Sequence, residues 1–225
     1  MVGLQILKRT RRIPQEIVQA FAEIPVANVS DCMSRMTAGG PRLRPYHRAG
    51  RMGGPALTVK TRPGDNLMIH KALELAEPGD IIVVDAGGDL TNALIGELMM
   101  TYAMTRGVGG FVMNGAIRDV DTIGSGTFPV YAAGVTHRGP YKDGPGEINV
   151  PIAIDGMVIQ PGDLILGDAD GFLCVPMDDA EAVLAASRKK VEAEQQTMKN
   201  INEGRHETAW IDVTLKRIGC NTEPR

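Results

Sequence analysis

Short apolar runs separated by polar, glycine- and proline-rich turns occupy most of this chain. Two of them, residues 81–84 (Ile-Ile-Val-Val) and 110–113 (Gly-Phe-Val-Met), are continuously apolar, which is typical of strands buried on both faces of a sheet. Residues 92–106 between them have helical periodicity. The three segments predict a β-α-β unit, in which the two strands are parallel. The loops that leave these strands, 85–92 and 114–119, are therefore expected at the same edge of the sheet, where open α/β sheets bind ligands.

Apolar periodicity predicts further elements on either side of this unit. The predicted helices are 14–24, a short one starting at Ser30-Asp31, 66–77 and 180–202, and the predicted strands are 56–62 and 128–132. Residues 150–176 contain several short apolar runs and the hairpin signal Asp155-Gly156, and they predict an antiparallel segment. Residues 37–55 and 134–149 are rich in glycine and proline and are interpreted as loops.

No internal repeat and no linker interrupts this pattern, which favours a single domain over residues 1–225. The elements predict the α/β class and a layered α/β/β fold, in which a central parallel sheet is flanked by helices and by a second β layer from the carboxyl half. A C-terminal helix and tail occupy residues 178–225, and the tail from Gly204 is expected to be weakly ordered.

Composition and charge argue against several classes of protein. The 24 Lys and Arg against 27 Asp and Glu give a net charge of −3, which disfavours a nucleic-acid binder driven by phosphate attraction. No apolar run reaches the roughly 18–20 residues that a membrane span needs, and no signal peptide is expected. The three cysteines are dispersed, which indicates reduced thiols and a cytoplasmic location. The basic cluster at residues 8–12 is interpreted as a solvated arm.

The strongest candidate for chemistry is the pair Arg118-Asp119, which follows the predicted strand at 110–113. Glu97 lies upstream, with twenty residues between it and Arg118. A fixed cation, a carboxylate that can ligate metal and a second carboxylate are the groups needed to hold a divalent metal and an anionic oxo-acid. Gly96 would allow close backbone approach, and amides at a helix N-terminus suit a carboxylate. The simpler alternative is a surface Arg-Asp pair in a loop.

Other candidate groups have weaker patterns. His70 and His137 share no metal-ligand spacing, and the more ordinary interpretation of both is structural. Lys60 could form a Schiff base if it were buried, but the polar face of a strand explains it as well. The glycine pair Gly87-Gly88 lacks the full glycine pattern of a dinucleotide site.

The combination Gly96-Glu97-Leu98 and, twenty residues after the glutamate, Arg118-Asp119-Val120-Asp121 resembles the RraA-like family. This family includes the regulator of ribonuclease activity A and the class II 4-hydroxy-4-methyl-2-oxoglutarate aldolases. The similarity covers about residues 20–190 and continues in order through Val29-Ser30-Asp31, Gly53-Gly54-Pro55-Ala56, Asp65-Asn66, Pro78-Gly79-Asp80 and the stretch from Val150-Pro151 to Gly171.

The resemblance implies roles for individual residues. Asp119 would ligate a divalent metal, usually Mg²⁺ but also Mn²⁺ or Co²⁺, with waters filling most of the shell. Arg118 would bind the 2-oxo acid and stabilise its enolate. Glu97 would be catalytic by orienting water on the metal, and the backbone at Gly96, Leu98 and Met99 would bind the pyruvyl carboxylate. The resemblance also implies a swivelling-domain-like fold and a homotrimer or hexamer with sites between subunits.

The resemblance departs from the aldolases at one position. The aldolase pattern has Glu or Asp where this chain has Thr122, and Asp121 is one residue early. The implied function is a metal-dependent lyase acting on pyruvyl-containing acids through a pyruvate enolate, as an aldolase, an oxaloacetate decarboxylase or both. Decarboxylation needs no base to remove a hydroxyl proton, so it tolerates Thr122 better. The alternatives are a non-catalytic regulator that binds and inhibits a ribonuclease, and a transferase acting on a different small acid.

Overall fold

A computed structural model describes residues 3–36 and 40–221 of the chain. The helices are α1 (Gln15–Phe21), α2 (Val26–Cys32), α3 (Leu67–Leu75), α4 (Glu97–Thr105), α5 (Val120–Ser125), α6 (Ala180–Asn202) and α7 (Ala209–Arg217). The strands are β1 (Leu4–Ile6), β2 (Arg44–Pro45), β3 (Met52–Thr61), β4 (Ile81–Asp85), β5 (Ala93–Ile95), β6 (Gly110–Ile117), β7 (Val130–Val135), β8 (Gly146–Ile148), β9 (Ile152–Ile154), β10 (Met157–Ile159), β11 (Leu164–Asp168) and β12 (Gly171–Val175). The chain divides into two compact units between Ser187 and Arg188.

The main sheet has a parallel centre. Its strand order is β1-β8-β3-β4-β6-β7-β2, and the four central strands β3, β4, β6 and β7 run parallel to one another. On the two sides of this centre, β8 pairs antiparallel with β3 and β2 pairs antiparallel with β7. β11 pairs antiparallel with the first residues of β3, Met52 to Pro55. The predicted β-α-β unit is confirmed, because β4 and β6 are adjacent and parallel with α4 between them in sequence.

Strand β4 shows how the two layers form on either side of this sheet. All four of its residues from Ile81 to Val84 are fully buried. Ile82 and Val84 pack into a cluster with α3 and α4, whereas Ile81 and Val83 pack into a cluster with β9, β10 and β12. Burying a side chain of this size stabilises the fold by about 1.5–3 kcal/mol. The alternation confirms the predicted α/β/β layering.

The predicted hairpin within the second β layer is also present. β9 and β10 pair antiparallel, with Ile154 opposite Met157. Between them Asp155 and Gly156 have φ of 50° and 85°, the left-handed conformation that a two-residue turn of this kind requires.

Several predicted boundaries are wrong. The second helix starts after Pro25 rather than at Ser30-Asp31, because proline suits a helix start. The helix predicted over 92–106 begins only at Glu97; its first residues form β5, which pairs with β6. β6 continues to Ile117, since its partners also continue. β3 begins at Met52, inside the predicted loop 37–55, of which residues 37–39 lie outside the described residues.

The interpretation of the basic cluster as a solvated arm is wrong for Arg9. The Arg9 side chain is 8% exposed, and its two terminal nitrogens donate to the fully buried carboxylate of Asp80 at 2.9 and 3.0 Å. Arg12 donates to the same carboxylate and to the Pro78 carbonyl oxygen. A buried carboxylate needs such partners, and Asp80 is too distant in sequence for a local pattern to indicate the contact.

The C-terminal unit, from Arg188, contains the second part of α6 and the whole of α7. The predicted helix at 180–202 is confirmed by α6. The tail expected to be weakly ordered contains α7, whose Trp210 and Val213 are 62% and 68% exposed. Among the described residues, no helix is both long and apolar enough to cross a membrane.

Candidate active site

The position of Arg118-Asp119 is set by the paired ends of β5 and β6. The Arg118 amide donates to the Ile95 carbonyl oxygen at 3.0 Å, so the chain leaves the sheet directly beside Gly96. Asp119 then adopts the left-handed conformation, with φ 58° and ψ 39°. Such a conformation costs a non-glycine residue of order 1–3 kcal/mol, and it persists where surrounding contacts enforce it.

Two contacts hold Asp119 in this conformation. Its carbonyl oxygen accepts from the Ile123 amide at 3.2 Å, in the first turn of α5. Its carboxylate Oδ2 accepts from the Glu97 amide at 2.9 Å. Glu97 is the first residue of α4, where the N–H groups have no partner within the helix and carry partial positive charge. The left-handed turn therefore directs the Asp119 carboxylate to the N-terminus of α4.

Gly96 is required by space rather than by backbone conformation. Its φ of −153° is extended and open to any residue. A Cβ added there would lie 2.2 Å from Asp119 Oδ2 and 2.9 Å from Arg118 Cγ. Glycine at this position lets α4 begin in direct contact with the Arg118-Asp119 pair.

A cavity of about 180 Å³ opens at this point. It is lined by four residues predicted to bind substrate, namely Gly96, Leu98, Met99 and Arg118, and by the predicted metal ligand Asp119. Leu98 is 81% exposed at its edge, whereas Met99 is buried. The structure thus brings together the residues that the sequence had singled out at the start of α4 and the end of β6.

Glu97 contributes to the site through its backbone. Its amide donates to Asp119, but its exposed side chain is not among the groups that line the cavity. Thr122 and Asp121 are likewise exposed on α5 and do not line it. The catalytic role of Glu97 remains a prediction.

Arg118 and Asp119 also border a second, more open recess of about 250 Å³. Its other lining residues are Val135, the last residue of β7, and Thr136 and His137, which follow it. His137 therefore lies near the Arg-Asp pair, whereas Lys60 is exposed on β3 and lines neither space.

Three polar residues of the first cavity were missed as functional candidates or considered structural: Asn66, His70 and Lys142. Asn66 and His70 come from the start of α3, and Lys142 from the loop before β8. Burial first, and the charge of Lys142 second, lower the pKa of His70, so its neutral form is favoured.

The loop that contains Lys142 is held by buried Asp65, whose carboxylate accepts hydrogen bonds from the amides of Asp143 and Gly144. These contacts join distant parts of the chain, and the motif Asp65-Asn66 was the only local signal.

The chemistry of this site fits a Mg²⁺-like ion. Asp119 offers hard carboxylate oxygens, and no described residue donates to its Oδ1. Within the described ranges, no group of three or more His, Cys, Asp or Glu side chains is placed to hold a metal. Mg²⁺ is commonly bound by one or two carboxylates while it keeps several waters. Asp119 beside an open cavity is compatible with that mode of binding.

Comparisons with known proteins match this chain to one family. Residues 26–174 match the family described as RraA-like: Aldolase/RraA. A Halalkalibacterium halodurans protein, provisionally named 4-hydroxy-4-methyl-2-oxoglutarate aldolase, is 41% identical over 175 residues, which cover 78% of this chain and 83% of that protein. An uncharacterized protein from Pseudomonas syringae has a solved structure with a TM-score of 0.77 and 26% identity, covering 86% of this chain and 95% of that chain.

A further solved structure is the RNA-processing inhibitor RraA from Thermus thermophilis. It has a TM-score of 0.62 and 30% identity, and the match covers 68% of this chain and 93% of that chain. The family match extends over most of the layered unit, including Gly96, Arg118 and Asp119. On this evidence the chain belongs to the RraA-like family.

Proposed function

We propose that this protein is a divalent-metal-dependent lyase acting on pyruvyl-containing acids, as a 4-hydroxy-4-methyl-2-oxoglutarate aldolase, an oxaloacetate decarboxylase or both. The observation that carries the proposal is the convergence of Arg118, Asp119 and the N-terminus of α4 on one cavity. The names of similar proteins support a lyase.

The chain's own groups can bind and activate a 2-oxo acid. Leu98 and Met99 follow Glu97 in the first turn of α4, where amides are free to donate to a carboxylate. Arg118 offers a planar fork of donors for the 2-oxo oxygen, on which negative charge develops as the carbon–carbon bond breaks. A divalent ion held through Asp119 would supply Lewis-acid polarisation of the same oxygen.

Aldol cleavage and decarboxylation differ in their leaving fragment. Aldol cleavage requires removal of a hydroxyl proton, whereas loss of CO₂ does not. The aldolase carboxylate is replaced by Thr122, and the nearby Asp121 does not line the cavity. We therefore propose that decarboxylation of oxaloacetate is the less impaired of the two reactions.

The proposal is tested by measuring pyruvate release from 4-hydroxy-4-methyl-2-oxoglutarate and from oxaloacetate in the presence of Mg²⁺. Lactate dehydrogenase and NADH report the pyruvate, and the uncatalysed rate of oxaloacetate loss is subtracted. Release from at least one acid is expected. Absence of release from both, under Mg²⁺, Mn²⁺ and Co²⁺ in turn, would contradict the proposal.

Oxalate is expected to inhibit competitively and to bind more tightly than pyruvate. Oxalate is planar and resembles the enolate, and groups arranged for the transition state bind such analogues more strongly than the ground state. Inhibition constants for both compounds, measured with the same substrate, decide the point. Equal and weak inhibition by the two compounds would count against a site that stabilises an enolate.

Substitution Gly96→Ala is expected to lower kcat/KM by between about tenfold and a hundredfold, the cost of displacing a reacting group by about 1 Å. The new Cβ occupies the space of the Asp119 carboxylate, which must move. Because that carboxylate is 40% exposed and can shift, the free energy of unfolding should change little.

Gly126→Ala is the matched control for this substitution. Gly126 follows α5, its φ is −97°, and the nearest atom of the described residues to an added Cβ is 3.6 Å away. This variant should keep wild-type kcat/KM. Equal losses in the two variants would show that the contact between Gly96 and Asp119 is not the cause.

Regulation of a ribonuclease is the second candidate function. Its support is the likeness to the RNA-processing inhibitor from Thermus thermophilis, at 30% identity. Acidic residues near the start of α6 could meet a basic partner, although Asp178 already pairs with Arg11. Assembly as a homotrimer or hexamer also remains a proposal; Leu98 and Tyr102, both exposed on α4, are compatible with it.

A further inference from the structure

One side chain that lines the cavity has a buried polar atom without a partner in the described part of the chain. Asn66 is 2% exposed and lines the cavity that also contains Arg118 and Asp119. Its side-chain oxygen, Oδ1, is buried and has no hydrogen-bond partner among the residues that the structure describes. An unsatisfied buried acceptor is costly, and native proteins retain few of them without a reason.

The orientation of the Asn66 amide is fixed by its other contacts. Nδ2 donates to the Leu94 carbonyl oxygen at 2.9 Å and lies 3.4 Å from the Met99 sulfur. Reversing the amide would place Oδ1 against the Leu94 oxygen, an acceptor facing an acceptor. The group presented without a partner is therefore an oxygen, which calls for a donor on the ligand.

Among the acids considered above, only the hydroxylated ones carry such a donor. Carboxylates and the 2-oxo group accept hydrogen bonds and are served by the α4 amides, Arg118 and Lys142. The hydroxyl of a 4-hydroxy-2-oxo acid can donate, whereas oxaloacetate has no hydroxyl at all.

We propose that Asn66 is a specificity-determining residue whose Oδ1 accepts a hydrogen bond from the substrate's 4-hydroxyl group. This inference rests on the proposed lyase function. An amide is not a base at neutral pH, so Asn66 recognises the hydroxyl without removing its proton. Asn66 therefore acts mainly on substrate binding, whereas the residue at position 122 acts on the proton-transfer step.

The test compares two ligands that differ only in the hydroxyl: 4-hydroxy-2-oxoglutarate as substrate and 2-oxoglutarate as competitive inhibitor. In Asn66→Leu, which has similar volume and no polar atom, KM for the hydroxy acid should rise by about tenfold, the size of one well-placed hydrogen bond. The inhibition constant of 2-oxoglutarate should stay within about twofold of the wild-type value under the same reasoning. Any effect of losing the hydrogen bond from Asn66 to the Leu94 carbonyl oxygen should be the same for both ligands. It therefore cancels in the ratio of KM to the inhibition constant of 2-oxoglutarate.

Asn66→Asp is the companion variant, because it keeps an oxygen at Oδ1 while losing the donor to Leu94. Its ratio of KM to the 2-oxoglutarate inhibition constant should remain close to that of the wild type, since repulsion acts on both anions. It also serves if the leucine variant does not fold. A wild-type enzyme that releases pyruvate, with a ratio unchanged by Asn66→Leu or shifted equally by both variants, would overturn the inference alone. A wild type that releases no pyruvate from any of these acids would overturn the proposed function and the inference together.

Discussion

Chelation by EDTA is expected to abolish pyruvate release, and added Mg²⁺ or Mn²⁺ to restore it. The physical reason is the sparse ligand set: Asp119 provides carboxylate oxygens at the cavity, and a Mg²⁺-like ion held this way exchanges readily with a chelator. The measurement is the rate of pyruvate release before and after chelation. The control is the same EDTA concentration already saturated with excess Mg²⁺.

Full turnover in EDTA would contradict metal dependence and direct attention to Lys60 as a Schiff-base candidate. Lys60 is exposed on β3 and lines neither cavity beside Arg118, which makes that alternative chemistry hard to accommodate. Treatment with borohydride in the presence of pyruvate would distinguish a Schiff-base mechanism from a metal-dependent one, because borohydride traps a Schiff base as a stable adduct with the chain.

Replacing Arg118 by lysine is expected to lower kcat/KM by at least about a hundredfold, as for the removal of one donor to a developing oxyanion. Lysine keeps the charge but loses the planar fork that can donate twice. The Arg118 side chain is 43% exposed, so its loss should change the free energy of unfolding little. Steady-state kinetics and denaturant unfolding on the same preparation give both quantities.

Arg138→Lys makes the same chemical change in the loop that follows β7. Arg138 is exposed and lines neither cavity, so this variant should keep wild-type kinetics. An Arg118→Lys variant that is as active as Arg138→Lys would show that no bidentate donation from Arg118 is needed.

The core of the fold could be predicted from the sequence because patterns of neighbouring residues indicate its strands and turns. The run Ile81 to Val84 indicates a strand buried on both faces, and the structure divides its side chains between two packed layers. The turn at Asp155-Gly156 similarly requires the left-handed conformation at both of its residues, and aspartate followed by glycine is a common choice for such a turn. Both features depend on neighbours in sequence rather than on distant contacts.

The prediction failed where tertiary pairing overrides the local pattern. Ala93 to Ile95 fit a helical periodicity but form β5, because β6 continues past the end of β4 and its last residues, Ala116 and Ile117, pair with them. The left-handed conformation of Asp119 depends on Gly96 and Glu97, more than twenty residues away in sequence. Asn66 and Lys142 reach the cavity through contacts organised by Asp65. No periodicity could reveal these contacts, although the motif Asp65-Asn66 marked the place.

The most direct test of the account measures lyase and regulatory activity side by side, with wild type and Arg118→Lys prepared in parallel. One assay follows pyruvate release from both acids under Mg²⁺, and the other follows cleavage of RNA by a ribonuclease in the presence of each protein. Wild type is expected to release pyruvate, Arg118→Lys to do so at least about a hundredfold less efficiently, and neither protein to slow the ribonuclease. Inhibition of the ribonuclease by both proteins, without pyruvate release from either acid, would contradict this expectation.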